Sequence, residues 1–191
     1  MEEKYIFIIG GQHLEVNKVI NLLSNAHFKI HYYTNYFSSD LFEISKKSNV
    51  EIFEIDCYEN MVVNHFYLGG IFLNRVSENL SRSSFLDIPS VEIRNCINEN
   101  MFFHLGFMKS ILKQKKTKYL RRIFFVKFDF NRPNFNNILE NIYKVLISFA
   151  KLEFDPIGVK LNQVNLDSES LYFGKVLREI LLGDLNSTDS K

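Results

Sequence analysis

The stretch Lys4–Leu23, KYIFIIGGQHLEVNKVINLL, decides how the rest of the chain is read. Tyr5 to Ile9 form an unbroken apolar run of strand length, and Gly10-Gly11 follow at once. From Leu14 the apolar residues return at Val16, Val19, Ile20 and Leu23, the i, i+3, i+4, i+7 spacing of a helix. A strand, a glycine turn and a helix present bare backbone N–H groups and the positive end of a helix dipole to an anion. Glycine suits that turn because a side chain would hold a pyrophosphate off the backbone. The same Gly-Gly also serves as a tight turn with no ligand. The position that usually carries a third glycine or alanine holds Glu15. In the first helical turn its carboxylate suits the dipole, whereas aimed at a phosphate pocket it repels a dinucleotide. Gly10, Gly11, Gln12 and His13 are therefore the candidate cofactor-binding residues, and His13 can donate to a phosphate or stand as a plain loop histidine.

Strands and helices alternate outward from this turn. Phe28–Tyr33, Val50–Ile55, Phe66–Ile71 and Ser90–Ile93 read as strands, with a short helix capped at Ser38-Ser39-Asp40 and another over about 74–86. This alternation predicts an α/β fold, a Rossmann-like parallel sheet with helices on both faces. At the end of the second strand Thr34 and Asn35 can bond a ribose, in place of the acid that dinucleotide enzymes often carry there. Farther on, 102–120 reads as a helix ending in a basic run, and Ile123–Phe130 as a strand. Phe135, Ile138, Leu139, Ile142, Leu146 and Phe149 line another helix. Asp155–Gly158 is a loop, and Phe173, Val176, Leu177, Ile180 and Leu181 stripe a last helix.

The 191 residues are 46% hydrophobic with 19 Phe and 9 Tyr, ample for one packed core. A net charge of +1 argues against bulk nucleic-acid binding while leaving local patches open. Cys57 and Cys96 have no metal-ligand spacing. No apolar run reaches membrane-spanning length and the start is not that of a signal peptide, which predicts a cytoplasmic protein with no membrane partner.

Gly10-Gly11, Lys18 and Leu22-Leu23, followed by YTNYFSSDLFEISKKSNVEIFEIDCYEN, FYLGG and DIPSVEIRNC, resemble in order and spacing the precorrin-2 dehydrogenase family, the dehydrogenase/chelatase module of siroheme synthases. IFFVKFDFNRPNFNNILENI is similar to that family's dimerisation region. The resemblance implies a Rossmann-like domain over 1–107, a smaller α+β dimerisation region over 108–150, a helical region over 151–185 and a tail over 186–191. It implies an NAD-dependent oxidoreductase that dehydrogenates a reduced tetrapyrrole in siroheme biosynthesis, with metal chelation in some members, working as a homodimer. NAD would lie across Gly10 to His13, with its adenosine end at Thr34 and Asn35 and with Gly69 and Gly70 lining the far side. The family's aspartate after the fifth strand falls at Arg94 and Asn95, leaving Asn95, with His104, as the candidate catalytic residues. Without a carboxylate there the chain also fits a catalytically impaired relative that holds a tetrapyrrole or nucleotide as a dimer. A third reading is an unrelated α/β domain of receiver-like or glycosyltransferase-like form.

His27 and His31 are four apart but fall in a turn and a strand rather than on one helix face, and none of the five histidines has an acid at zinc-motif spacing, so no metal site is expected. The run Lys113–Arg122 collects six cations. Lys115, Lys116, Arg121 and Arg122 can steer a polycarboxylate substrate, contact nucleic acid or an acidic protein, or simply end a helix in solvent.

Overall fold

The computed structural model describes residues 5–11, 13–25, 28–35, 44–55, 62–63, 65–75, 88–129 and 133–167. Six parallel strands make one sheet in the order β3-β2-β1-β4-β5-β6. They are β1 (Tyr5–Gly10), β2 (Lys29–Thr34), β3 (Val50–Glu54), β4 (Gly69–Leu73), β5 (Arg122–Asp129) and β6 (Lys160–Asp167). The order reverses between β1 and β4, which flank each other in register from Ile6↔Gly69 to Gly10↔Leu73. This is the doubly wound Rossmann-like fold expected of the sequence.

Helix α1 (His13–Ser24) follows β1. Its Val16, Val19, Ile20 and Leu23 bury against Ile6, Ile8, Ile30 and Ile71 on one face of the sheet. Phe7, Ile9, Phe72, Ile123 and Phe125 point to the other face, covered by α3 (Phe103–Lys113) and α4 (Pro133–Phe154). A parallel sheet covered on both sides needs apolar side chains in both directions, which is why β1 reads as a continuous apolar run.

Residues Ser90–Ile93, expected as a fifth strand, instead open helix α2 (Ser90–Ile97). A π-helical turn, Asn98–Phe102, joins it to α3. The inward positions Cys96, Asn100, Phe103, His104, Phe107 and Ile111 keep one helical stripe through the turn. The expected helix over 102–120 stops at Lys113, where the Lys116 N–H bonds the Ile111 carbonyl and the Lys115 N–H that of Leu112. Lys115 closes this end at φ 54°, a left-handed position that helices usually give to glycine; a side chain there costs about 1–2 kcal/mol.

The stretches 108–150 and 151–185 do not form separate regions in the described residues. They supply β5 and β6 to the same sheet and α4 to its face; the expected loop at Asp155–Gly158 is a 3-10 turn over Asp155–Ile157, and β6 beyond it was not foreseen as a strand. Most of the expected helix over 74–86 and all of the stripe from Phe173 lie outside the described residues. Among the described residues no helix is long and apolar enough to cross a membrane.

Candidate functional site

All strands run one way, so the sheet has a carboxyl edge, where Gly10, Thr34 and Leu73 end their strands, and an amino edge, where Lys29, Gly69 and Arg122 begin theirs. In such sheets the ligand crevice opens outside the carboxyl ends, where the strand order reverses. Here that point lies between Gly10 and Leu73.

Gly10 and Gly11 both have positive φ, 72° and 88°. A Cβ on Gly10 would meet the Leu73 carbonyl oxygen at 2.7 Å and His104 Nε2 at 3.0 Å. One on Gly11 would meet Val16 Cγ2 at 2.8 Å and the Leu73 side chain at 2.9 Å. The turn is thus wedged against the end of β4 by the protein's own packing. Glu15, in the first turn of α1, is buried, only 7% exposed. His13 opens α1, and Gln12 lies outside the described residues.

Thr34 ends β2 and is buried, while Asn35 behind it is exposed. Gly69 and Gly70 do not line the crevice. They begin β4 at the amino edge, and a Cβ on Gly70 would fall 1.8–2.4 Å from atoms of the Phe7 ring. Gly70 is therefore the seat of a core phenylalanine. Asn95 lies on the exposed side of α2. Lys115, Lys116, Arg121 and Arg122 stand at or before the start of β5, at the opposite edge from the glycine turn.

His104 is not on a helix surface. Its ring is fully buried against Phe72 and Gly10, with both nitrogens beside the backbone of Leu73 and Asn100 but outside hydrogen-bond geometry. Burial drives its pKa down to about 3, so it is a neutral imidazole near pH 7. Tyr143 of α4 lies beside it, ring centroids 6.0 Å apart, also fully buried and with its hydroxyl unbonded among the described residues. Desolvation holds that phenol well above its ordinary pKa. On β5, Lys127 sits one residue past the last β4–β5 pair, 3% exposed, with Nζ 3.8 Å from Glu140 of α4.

Two asparagines that the sequence did not single out hold the edge together. The Asn74 side chain donates to the Phe128 carbonyl (3.1 Å) and accepts from the Phe128 N–H (2.8 Å). Asn100, in the π-helical turn, accepts from the Arg75 N–H (2.7 Å) and donates to the Arg75 and Cys96 carbonyls (2.7 and 2.8 Å). Both are buried.

A second polar cluster lies between β2, β3 and the segment before β4. Tyr33 and Tyr67 share a 2.6 Å hydroxyl–hydroxyl bond, and Tyr67 meets His31 Nδ1 at 2.9 Å. His31 Nε2 lies 3.5 Å from Glu51, and the His65 ring packs edge-on against His31 at 4.6 Å. Desolvation, then the His65 charge, lowers the His31 pKa to about 4. Desolvation raises Tyr33 to about 12. Among the described residues no group of three or more His, Cys, Asp or Glu is arranged to hold a metal ion.

No protein-family model matches this sequence, and no curated protein is similar to it in sequence. Its fold is that of solved short-chain dehydrogenase/reductase structures. One from Burkholderia thailandensis, an oxidoreductase of that family, superposes with a TM-score of 0.67 at 11% identity over 88% of this chain and 69% of its own. Another, from Brucella ovis, solved with a partially ordered NAD, gives 0.64 at 10% identity over 100% and 94%. ElxO, solved with NADP bound, gives 0.61 at 16% identity over 95% and 79%. At these identities the likeness establishes the Rossmann-like fold alone.

Proposed function

We propose that this chain holds a nicotinamide dinucleotide, NAD or NADP, along the carboxyl edge of its sheet and is an oxidoreductase of the short-chain dehydrogenase/reductase type. The observation that carries this reading is the left-handed Gly10-Gly11 turn feeding α1 at the β1/β4 reversal point. The cofactors in the ElxO and Brucella ovis structures support it by likeness of fold. The residues fit such a cofactor at the turn, where two glycines of positive φ meet the N-terminus of α1 and its backbone donors. When bound, the nicotinamide would supply hydride transfer; the chain's part is to seat it and manage a proton. Lys127 of β5, one residue past the last β4–β5 pair, and Glu140 of α4 offer a polar pair toward this edge.

A specific observation favours a second reading, a binding relative without turnover. The first turn of α1 carries Glu15 and Val16, and the two glycines are filled against Leu73 and His104. The finer reading, oxidation of precorrin-2 to sirohydrochlorin in the cytoplasm with or without chelation, rests on the sequence resemblance, and the solved neighbours lend it nothing. It names the first substrate to try. We also place a homodimer contact on the outer face of α3 and α4. A groove of about 620 Å³ there is lined by Leu105, Leu112, Phe149 and Leu152, with Lys109 and Lys113 on one wall and Glu153 on the other. A two-fold copy would set these opposite charges face to face.

Calorimetric titration with NADH and NADPH tests the central reading. Saturable binding that a bulky Gly11→Leu substitution abolishes supports it. No heat at millimolar cofactor ends it. Binding without hydride transfer to precorrin-2 or to a panel of ketones selects the second reading.

A further inference from the structure

The amino edge of the sheet carries a surface unrelated to the crevice. From Asn100 to Phe128 the chain has eight of its 23 Lys and Arg and none of its 22 Asp and Glu, leaving 15 cations against 22 acids elsewhere. A chain of net charge +1 is thus strongly polarised. The cations gather where α3 ends and β5 begins: Lys113, Lys115, Lys118 and Arg121 are exposed, and Lys116 and Arg122 half-buried. Lys160, exposed at the start of β6, joins them, its N–H bonded to the Arg121 carbonyl.

Two aromatic rings are set among these charges. Phe66, just before β4, and Tyr119 are each 42% exposed and meet edge to face at 5.6 Å. Lys116 Nζ lies 4.6 Å from the Phe66 ring centre and Lys118 Nζ 4.9 Å from that of Tyr119. The loop that carries them is fixed to the fold. Gln114 Oε1 accepts the Val63 N–H, the Arg121 N–H bonds the Leu68 carbonyl, and Leu120 is buried. Lys115 occupies a strained position that glycine would fill without cost, so the chain keeps a cation where geometry disfavours any side chain.

We propose that this amino-edge surface binds single-stranded nucleic acid, its lysines and arginines tracking phosphates and Phe66 and Tyr119 offering platforms for bases. Cations interleaved with half-exposed flat rings are the pairing that sequence-tolerant single-strand binding needs. A membrane surface fits less well. The rings are sunk to more than half their area rather than projecting, and the acidic excess over the rest of the chain repels a broad anionic sheet. A narrow strand touches only the basic edge. Among the described residues Glu153, which shares a groove with Lys113, and the exposed Asp155 stand at the end of α4 and bound the track on that side.

Fluorescence anisotropy with a short labelled oligouridine tests this. The wild-type protein binds in low salt, and with about five phosphates neutralised a rise from ~50 to ~200 mM salt weakens binding about a hundredfold. Lys115→Glu with Lys118→Glu and Arg121→Glu weakens it at least tenfold and flattens the salt dependence. Phe66→Ala with Tyr119→Ala weakens it about tenfold with the salt dependence unchanged. Thermal melts confirm that each variant folds, and the nicotinamide titration, reporting on the opposite edge, stays as in wild type. The proposal is overturned if oligouridine does not bind or if the ring variant binds as wild type. It is equally overturned if polyglutamate of equal charge competes as well as unlabelled oligouridine, which marks an acidic-protein surface, or if anionic phosphatidylserine vesicles bind more tightly, which marks a membrane surface.

Discussion

Acidification should destabilise this protein through His31, and the size of the effect follows from its surroundings. The ring is 2% exposed, bonded at Nδ1 to Tyr67 and flanked by His65, Tyr5 and Phe53, with Glu51 at Nε2. Burial, and then His65, lower its pKa from 6.5 to about 4 in the folded chain. The unfolded chain therefore takes up a proton first as pH falls through 6.5, and the folded chain only near 4. Stability present at neutral pH is lost across that window, at about 1.4 kcal/mol per pH unit, or about 3 kcal/mol in all by pH 4. Glu51, mostly solvent-exposed, returns little of this when His31 is finally charged. His104, pushed lower still, adds a loss of the same sign. Urea denaturation at pH 7.5, 5.5 and 4.0 of wild type and His31→Gln isolates the His31 share, because His104 is common to both. The amide of Gln stays neutral and can still accept from Tyr67. The wild type should lose about 3 kcal/mol more than the variant between the two extremes. Parallel curves for the two proteins would refute the reasoning, since they would mean that His31 titrates alike folded and unfolded.

Gly70→Ala places a methyl inside the ring of Phe7, which Tyr67, Phe72 and Phe107 hold in place, so it should cost about 3 kcal/mol or more in urea unfolding; a loss under about 1 kcal/mol would show that Phe7 has room to move. Phe149→Glu with Leu152→Glu, at positions 55% and 72% exposed, should leave folding intact and turn a dimer into a monomer by sedimentation. A wild-type protein already monomeric at high micromolar concentration would remove the proposed contact.

The first strand was legible because burial on both faces writes itself as an apolar run, Tyr5–Ile9, and β3 because Val50, Ile52 and Phe53 are interleaved with the exposed Glu51 and Glu54. Helix α2 was hidden by its start. Val91 and Ile93 alternate with Glu92 and Arg94 as a half-buried strand would, and only the longer stripe through Cys96, Asn100, His104 and Ile111 betrays the helical period. Strand β6 was hidden because an edge strand needs little apolar surface. Of its described side chains only Val164 is buried, among Lys160, Asn162, Gln163 and Asn165. At the candidate site, a glycine doublet is visible in sequence, but its use is not. Gly10-Gly11 and Gly69-Gly70 look alike, yet one pair ends a strand beside the crevice and the other begins a strand under Phe7. Strand polarity decides this, and it needs the register.

The two buried asparagines have a further effect. Beyond Leu73 the main chain of β4 leaves its neighbour: the Arg75 peptide turns to Asn100, and the Asn74 amide, carrying a peptide's own donor and acceptor, stands in for it opposite Phe128. The Asn74 side chain therefore carries the pairing with β5 as far as Phe128 after the β4 main chain has turned toward Asn100. Whatever binds beside β4 meets a strand end already tied on both sides, and need spend none of its interaction energy on ordering it.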